Sequence, residues 1–335
     1  MKIQEALNSF QSIFSKYLNK FLPDDLLPQD LYSASKHLLK SGGKRLRPFL
    51  LYQSCKIVGG DVESIMPAAI SIELIHNFTL VHDDIMDKDE FRRGVPTVHV
   101  LWGIPLAILA GDLLLSKAFE IFFECATSPK IDRNRLIDSA KKLAHAITVV
   151  AEGQALDISF EGKLFSNLIT EADYLNMIYK KTATLIKVSC EIGGLLGMGD
   201  LSIVEALSKY GENIGMAFQM HDDILGIIGD EKTLGKPVGS DLRDGKCTLV
   251  LLHAAKNCDE NQKKLLLKYY GKKDLTIFEL NEVIDILNEL GSINYVSSLA
   301  KNYVSLAKNA LNVLPKSEDR DILMEIADYI VLRGY

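Results

Sequence analysis

None of the five cysteines, Cys55, Cys125, Cys190, Cys247 and Cys258, stands in a CxxC pair. That absence removes a zinc ribbon and a dithiol redox centre, and points to reduced, mostly structural thiols in a cytoplasmic protein. A basic excess is lacking too, with 38 Lys and Arg against 44 Asp and Glu and a formal net charge of -6. A nucleic-acid binder needs a cationic surface to displace counterions from phosphates, so that class is excluded and any anionic ligand must meet a local basic site. There is no uncharged membrane-length run: the most apolar stretch, Val98 to Leu115, is interrupted by Gly103, Pro105, Gly111 and Asp112, and no membrane span is expected. Residues 1–20 lack the apolar core of a signal peptide. Linkers, low-complexity tracts and repeats are missing as well, so residues 1–335 are expected to form a single domain. Alternating apolar and polar stretches closed by Asn-Gly or Asp-Gly turns are almost absent, which argues against hairpins.

What is present is helical periodicity. Ile65, Ala68, Ala69, Ile72, Ile75 and Phe78 recur at three- and four-residue spacing, as apolar residues do in most long segments. The pattern predicts an all-α bundle, with helices near 3–20, 29–40, 46–58, 62–88, 97–126, 132–160, 171–197, 202–228, 246–256, 260–268, 275–289, 293–312 and 318–332. Segments 102–118 and 184–198 are apolar nearly all round, which places them inside the bundle, where a deep central cavity could hold a hydrocarbon chain.

The strongest chemical signal is His82-Asp83-Asp84-Ile85-Met86-Asp87, followed at once by Asp89 and Glu90. On a helix, Asp83 and Asp87 share a face with Asp84 at its edge. Three carboxylates near a helix C-terminus repel one another and oppose the macrodipole, so a cation is expected among them. Hard oxygen donors without a nearby cysteine suit Mg²⁺, which keeps several waters and shares its remaining positions with phosphates. Taken alone the cluster could be a solvated acidic helix end. A second cluster, His221-Asp222-Asp223-Ile224-Leu225-Gly226, nearly repeats it, with Gly226 in place of a third aspartate. Two such helix ends facing one another would line an acidic mouth.

Cations complement the carboxylates: Gly42-Gly43-Lys44-Arg45-Leu46-Arg47-Pro48, then Arg92-Arg93-Gly94, then Lys181-Thr182, Lys236 and Lys246. Arg forks bind phosphate oxygens in bidentate fashion and Lys supplies a compact charge, so Lys44 and Arg47 are a candidate diphosphate clamp, with Arg92 and Arg93 beside it. His76, a helical turn before the acidic approach, could donate to a phosphate or be an ordinary core residue.

These residues resemble the trans-isoprenyl diphosphate synthases, and most resemble archaeal geranylgeranyl-type enzymes. GGKRLRP at 42–48, HDDIMD at 82–87, RRG at 92–94, Gly111-Asp112, Glu152-Gly153-Gln154 through Asp157, Lys181-Thr182, Phe218-Gln219, HDDILG at 221–226 and GKPVGSD at 235–241 follow that family's order and spacing. The resemblance implies an all-α bundle, usually a homodimer, with two aspartate-rich motifs across a deep cavity. It implies that Asp83, Asp84 and Asp87 hold two Mg²⁺ ions, and Asp222 with Asp223 a third. Lys44, Arg47, His76 and Arg93 would hold isopentenyl diphosphate. Arg92, Lys181, Lys236 and Lys246 would grip the allylic diphosphate, with Thr182 and Gln219 beside the developing cation.

Such a reaction needs leaving-group stabilisation rather than a protein nucleophile, and a dry cavity in which the allylic cation meets a double bond before water does. A terpene cyclase would have no use for a second diphosphate clamp, and a non-catalytic partner subunit would have no need of the intact first cluster. Product length is expected to depend on Phe78 and Thr79, about one turn before Asp83. An aromatic ring at Phe78 would be a floor, while Thr79 leaves the nearer position open. The resemblance implies a twenty-carbon product, geranylgeranyl diphosphate, with farnesyl or longer products as the alternatives.

Overall fold

The computed structural model describes residues 2–166, 168–229 and 238–332. They form sixteen α-helices: α1 Lys2–Phe21, α2 Gln29–Lys40, α3 Leu46–Ile57, α4 Met66–Asp87, α5 Val98–Trp102, α6 Ile104–Phe122, α7 Arg133–Phe160, α8 Glu171–Ile178, α9 Thr184–Leu196, α10 Leu201–Ile228, α11 Ser240–Asp244, α12 Leu249–Asn257, α13 Glu260–Tyr269, α14 Ile277–Glu289, α15 Ser292–Ala310 and α16 Glu318–Leu332. The sheet among the described residues is one antiparallel ribbon, β1 Phe91–Arg92 and β2 Val95–Pro96. The all-α expectation therefore holds. No helix among the described residues is long and apolar enough to cross a membrane.

The chain divides into two compact units, one of residues 1–147, 185–209 and 311–326 and the other of 148–184, 210–310 and 327–335, with most boundaries falling inside helices. In the first unit α4 is buried over nearly its whole first half, from Met66 to Ile75, and packs against α3 and α6. Pro67 begins it at a position where no amide donor is required. Lys88, at φ 59, ends it by donating its N–H to the Asp84 carbonyl. An aromatic group of Phe10, Phe14, Phe49 and Tyr52 joins α1 to α3, with the Phe10 ring 5.4 Å from Phe49 and 5.1 Å from Tyr52. The second unit gathers Tyr174, Met177, Met216, Met220, Ile224, Val250, Val283 and Val296 into one core. Thr276 and Asp259 open α14 and α13 with capping boxes that satisfy the first amide donors.

Four local departures from the periodicity have physical causes. The helix expected over 97–126 is broken at Gly103, which takes φ 79 and ψ 157, a backbone that side chains disfavour, and Pro105 then starts α6. The stretch 171–197 contains a π-helical turn, Tyr179–Ala183, which leaves no mark on apolar spacing. Residues 91–96 form the ribbon because Arg93 and Gly94 both take positive φ, the twist a two-residue hairpin turn demands. Segment 102–118 is not enclosed on every side: Ile104, Ile108 and Leu109 stay 52%, 43% and 53% exposed on α6. Apolar character all round records that a surface avoids water, and does not record what covers it.

All five thiols are free, and burial pushes Cys55, Cys125 and Cys190 up to about 12, as expected of structural cysteines. Phe10 is 1% exposed and touches three aromatic rings, so Phe10→Ala is expected to lower stability by about 3 to 5 kcal/mol. Urea unfolding checks this; a loss below about 1 kcal/mol would show that the aromatic group is not a well-packed core.

Candidate active site

The first unit carries the DDIMD carboxylates at the C-terminal end of α4. Asp83 is 18% exposed at its side chain and Asp84 1%, while Asp87 is the half-buried last residue of the helix. The ribbon brings Arg92 back onto them. Its Nε donates to Asp84 Oδ1, and its Nη2 lies 3.6 Å from Asp83 Oδ2 and 3.3 Å from Asp89 Oδ2. Burial alone would lower the Arg92 pKa, but Asp84 and Asp83 outweigh it and hold the guanidinium above its ordinary value. One positive charge for the helix end is thus supplied within the chain.

Beside this group lies the basic set. Arg93 Nη1 donates to the carbonyls of Leu38 at 3.0 Å and Gly42 at 2.8 Å, fixing the guanidinium against the turn that begins GGKRLRP. Arg47 Nη1 is 3.1 Å from His76 Nε2. Since the guanidinium can only donate, Nε2 accepts and the other ring nitrogen carries the proton. Burial, then Arg47, Arg93 and Arg92, hold His76 well below the usual histidine range, so it is a neutral imidazole. Arg45, the second cation of that stretch, is taken up structurally by Glu73 and the Leu39 carbonyl. Asn77 donates to the same Glu73 carboxylate at 3.0 Å. Lys44 is exposed. Of the chain-length candidates, Phe78 and Thr79 are half-buried, and Thr79 Oγ1 is turned back to the His76 carbonyl at 2.8 Å.

In the second unit the π-helical turn presents Lys181 and Thr182. Gly153 on α7 makes this possible, because a Cβ there would overlap the Lys181 backbone, with its Cα at 2.7 Å. Lys181 Nζ donates to Asp157 Oδ2 at 2.6 Å, and Lys246 Nζ reaches the same oxygen at 3.2 Å and Glu161 at 2.6 Å. Burial would raise Asp157, and the two ammonium groups overcome it to lower its pKa. Thr182 Oγ1 donates to Gln219 Oε1 at 2.7 Å, Gln219 Nε2 donates to Asp223 Oδ1 at 2.8 Å, and the Tyr174 hydroxyl donates to Asp223 Oδ2 at 2.5 Å. The network gives the two neighbouring aspartates different settings: Asp222 is half-buried, while Asp223 is 5% exposed and enclosed by donors. Gly226, which stands where a third aspartate could be, leaves room for Asp241, whose Oδ2 would lie 2.7 Å from a Cβ placed there. Lys236 lies outside the described residues.

The structure thus brings Asp83 and Asp84 together with Arg92, Arg47 with His76, Lys181 with Lys246, and Thr182 with Gln219 and Asp223. Among the described residues no three carboxylate, imidazole or thiol groups converge tightly enough to hold a metal unaided. The donor set fits a hard divalent ion that completes its shell with water and phosphate oxygens. The partners that periodicity could not reveal are Glu73, Asp157, Tyr174 and Asp241. Asp157 lies in a run that the sequence marks, but Tyr174 has no local signal, because it meets Asp223 across 49 positions.

Burial, and then Asp241, raise the pKa of Asp223 above the ordinary carboxylate range, against the bonds from Tyr174 and Gln219. Between about pH 4 and the raised value the folded chain therefore binds more protons here than the unfolded chain, so this group's contribution to stability falls as pH rises. With divalent ions chelated, Asp223→Asn is expected to flatten the decline in stability from pH 5 to 7. Parallel stability curves for the two proteins would refute that role.

Residues 28–287 match the Polyprenyl synthetase family. The chain is 43% identical over 316 residues to the geranylgeranyl diphosphate synthase of Methanosarcina mazei, covering 93% of this chain and 94% of that one. It is 38% identical over 349 residues to the geranylfarnesyl diphosphate synthase of Natronomonas pharaonis, covering 99% and 98%. The solved geranylgeranyl pyrophosphate synthetase of Pyrococcus horikoshii matches over 100% of both chains with a TM-score of 0.91 and 42% identity. Two aspartate-rich helix ends, their basic partners and these likenesses agree: the chain belongs to the polyprenyl synthetase family.

Proposed function

We propose that this chain condenses an allylic diphosphate with isopentenyl diphosphate, releases pyrophosphate and stops at the twenty-carbon product, geranylgeranyl diphosphate. As a member of its family it is a chain-elongating trans-prenyltransferase. The observation that carries the substrate assignment is the division of charge in the first unit. Asp83, Asp84 and Arg92 form a mixed acidic and basic group, next to the basic set of Arg47, neutral His76 and Arg93. The first suits a diphosphate that arrives with metal, and the second a diphosphate bound by arginine forks and an imidazole N–H. A terpene cyclase has no need of the second.

In this reading Asp83, Asp84 and Asp87 hold Mg²⁺, as do Asp222 and Asp223, with Asp223 set in position by Tyr174 and Gln219. Bound Mg²⁺ supplies charge neutralisation for the departing pyrophosphate. Lys181 and Lys246, held by Asp157, add positive charge to the same leaving group, and Lys236 and Arg92 are assigned alongside them. As the allylic C–O bond breaks, Thr182 and Gln219 offer oxygen dipoles to the carbocation. Lys44, Arg47, His76 and Arg93 hold isopentenyl diphosphate so that its double bond attacks the cationic carbon. The proton lost in forming the new double bond passes to pyrophosphate, so no protein base is required.

One domain spanning residues 1–335 and a location in the cytoplasm complete the reading. A homodimer is supported by the uncovered apolar residues Ile104, Ile108 and Leu109 of α6, which a second copy would shield. Phe78 is the proposed floor, and Thr79, with its hydroxyl turned back onto α4, leaves the space before it open.

Asp83→Ala and Asp87→Ala are each expected to cut turnover at saturating Mg²⁺ by about 10²-fold or more, the scale of losing one electrostatic stabiliser, while thermal unfolding stays cooperative. Near-normal rates in either variant would remove the metal role. Phe78→Ala is expected to lengthen the products formed from labelled isopentenyl diphosphate, and Thr79→Phe to shorten them. Chromatography of the dephosphorylated products decides between this floor and another one.

A further inference from the structure

The floor proposed at Phe78 is a single half-buried ring, and a ring free to change rotamer would make a poor ruler. Its neighbour one helical turn on is His82, the histidine that begins HDDIMD and has no part in the reading above. The two ring centroids are 4.9 Å apart at 68°, an edge-on contact along one face of α4.

His82 is itself held from α6. Its Nε2 lies 3.1 Å from the Ile108 carbonyl, which can only accept, so Nε2 donates. It enters a notch made by Gly111: a Cβ there would overlap Nε2 and would sit 2.5 Å from Cδ2. Asp112 Oδ1 stands 4.0 Å away on the same side. The ring is thus fixed by a carbonyl on one turn of α6 and by the missing side chain on the next.

We infer that His82, seated in the Gly111 notch of α6, is a positioning residue that holds the Phe78 ring and so sets product length. The inference rests on Phe78 being the floor. Phe78 and His82 sit four residues apart on the same face, so each limits where the other can turn. Without the imidazole, the Phe78 ring can tip into the vacated space and no longer stops the chain at one depth. Products then become longer and more mixed. With Phe78 already shortened, His82 has nothing left to hold.

The experiment is a double-mutant cycle read by product distribution, with each sample normalised to total isopentenyl diphosphate consumed. Wild type, His82→Ala, Phe78→Ala and the double variant are compared on one allylic starter. His82→Ala is expected to raise the fraction beyond twenty carbons about fivefold, a ratio in keeping with losing one aromatic edge contact. His82→Phe, which keeps a ring edge beside Phe78, is expected to restore part of the wild-type distribution. His82→Gln, which keeps a donor for Ile108 but not the ring, is expected to behave like the alanine variant, and it replaces that variant if His82→Ala does not fold. The double variant is expected to match Phe78→Ala alone. A wild-type distribution in both His82→Ala and His82→Gln, together with longer products from Phe78→Ala, overturns the inference and leaves the floor standing. Additive lengthening in the double variant also overturns it. An unchanged distribution in Phe78→Ala removes the floor, and the inference with it.

Discussion

The end of α4 must accommodate like charges where the helix itself opposes them. Two carboxylates roughly 5 Å apart repel by about 3 kcal/mol at an effective dielectric near 20. The macrodipole adds only about 0.3 to 1 kcal/mol to that. Mutual repulsion is therefore the dominant problem, and a positive charge among the carboxylates is its remedy. Arg92 reaches Asp83, Asp84 and Asp89 at once, and it can do so because the chain turns back immediately after the helix, at Lys88, whose φ is 59. The ribbon that turns Arg92 toward the acids also sends Arg93 to the Leu38 and Gly42 carbonyls. Neighbouring residues of one ribbon thus hold an arginine at the acidic group and an arginine at the GGKRLRP turn.

The second unit meets the converse problem in the same way. Lys181 and Lys246 would repel each other, and Asp157 lies between them. The carboxylate is buried, so its charge is maintained by the two ammonium groups rather than by water. Nearby, Asp223 has donors from Tyr174 and Gln219 but is buried, with another carboxylate, Asp241, close by, and burial first and Asp241 second hold its proton more tightly. Adjacent residues on one helix therefore acquire unlike surroundings: Asp222 is half-buried and Asp223 is enclosed.

Close approach between elements is the other recurring device. Gly111 admits the His82 ring, Gly153 admits the π-helical turn that carries Lys181, and Gly226 admits the carboxylate of Asp241. In each case a side chain on the glycine would push a polar group by roughly 1 Å, on the scale at which misplacement of reacting groups slows chemistry.

By itself the sequence determined the fold class, most helix positions and the identity of the chemistry. Those features are written in short-range spacing: apolar residues at three and four positions make helices, and Asp83 and Asp87 share a face, with Asp84 at its edge, because the helix turns every 3.6 residues. What only the tertiary structure decided is which charges meet. Arg45 and Arg47 stand two positions apart in the same basic stretch, yet one is taken up by Glu73 and the other faces His76. Tyr174 meets Asp223 across 49 positions and Lys246 meets Asp157 across 89, separations at which no local pattern constrains a pair. The exposed face of α6 was hidden for a related reason, since apolar composition records a preference for leaving water and not the surface that satisfies it. Helices follow from the backbone and its nearest neighbours, whereas the pairing of polar groups depends on the packed interior that brings distant segments together and leaves each buried charge in need of a partner.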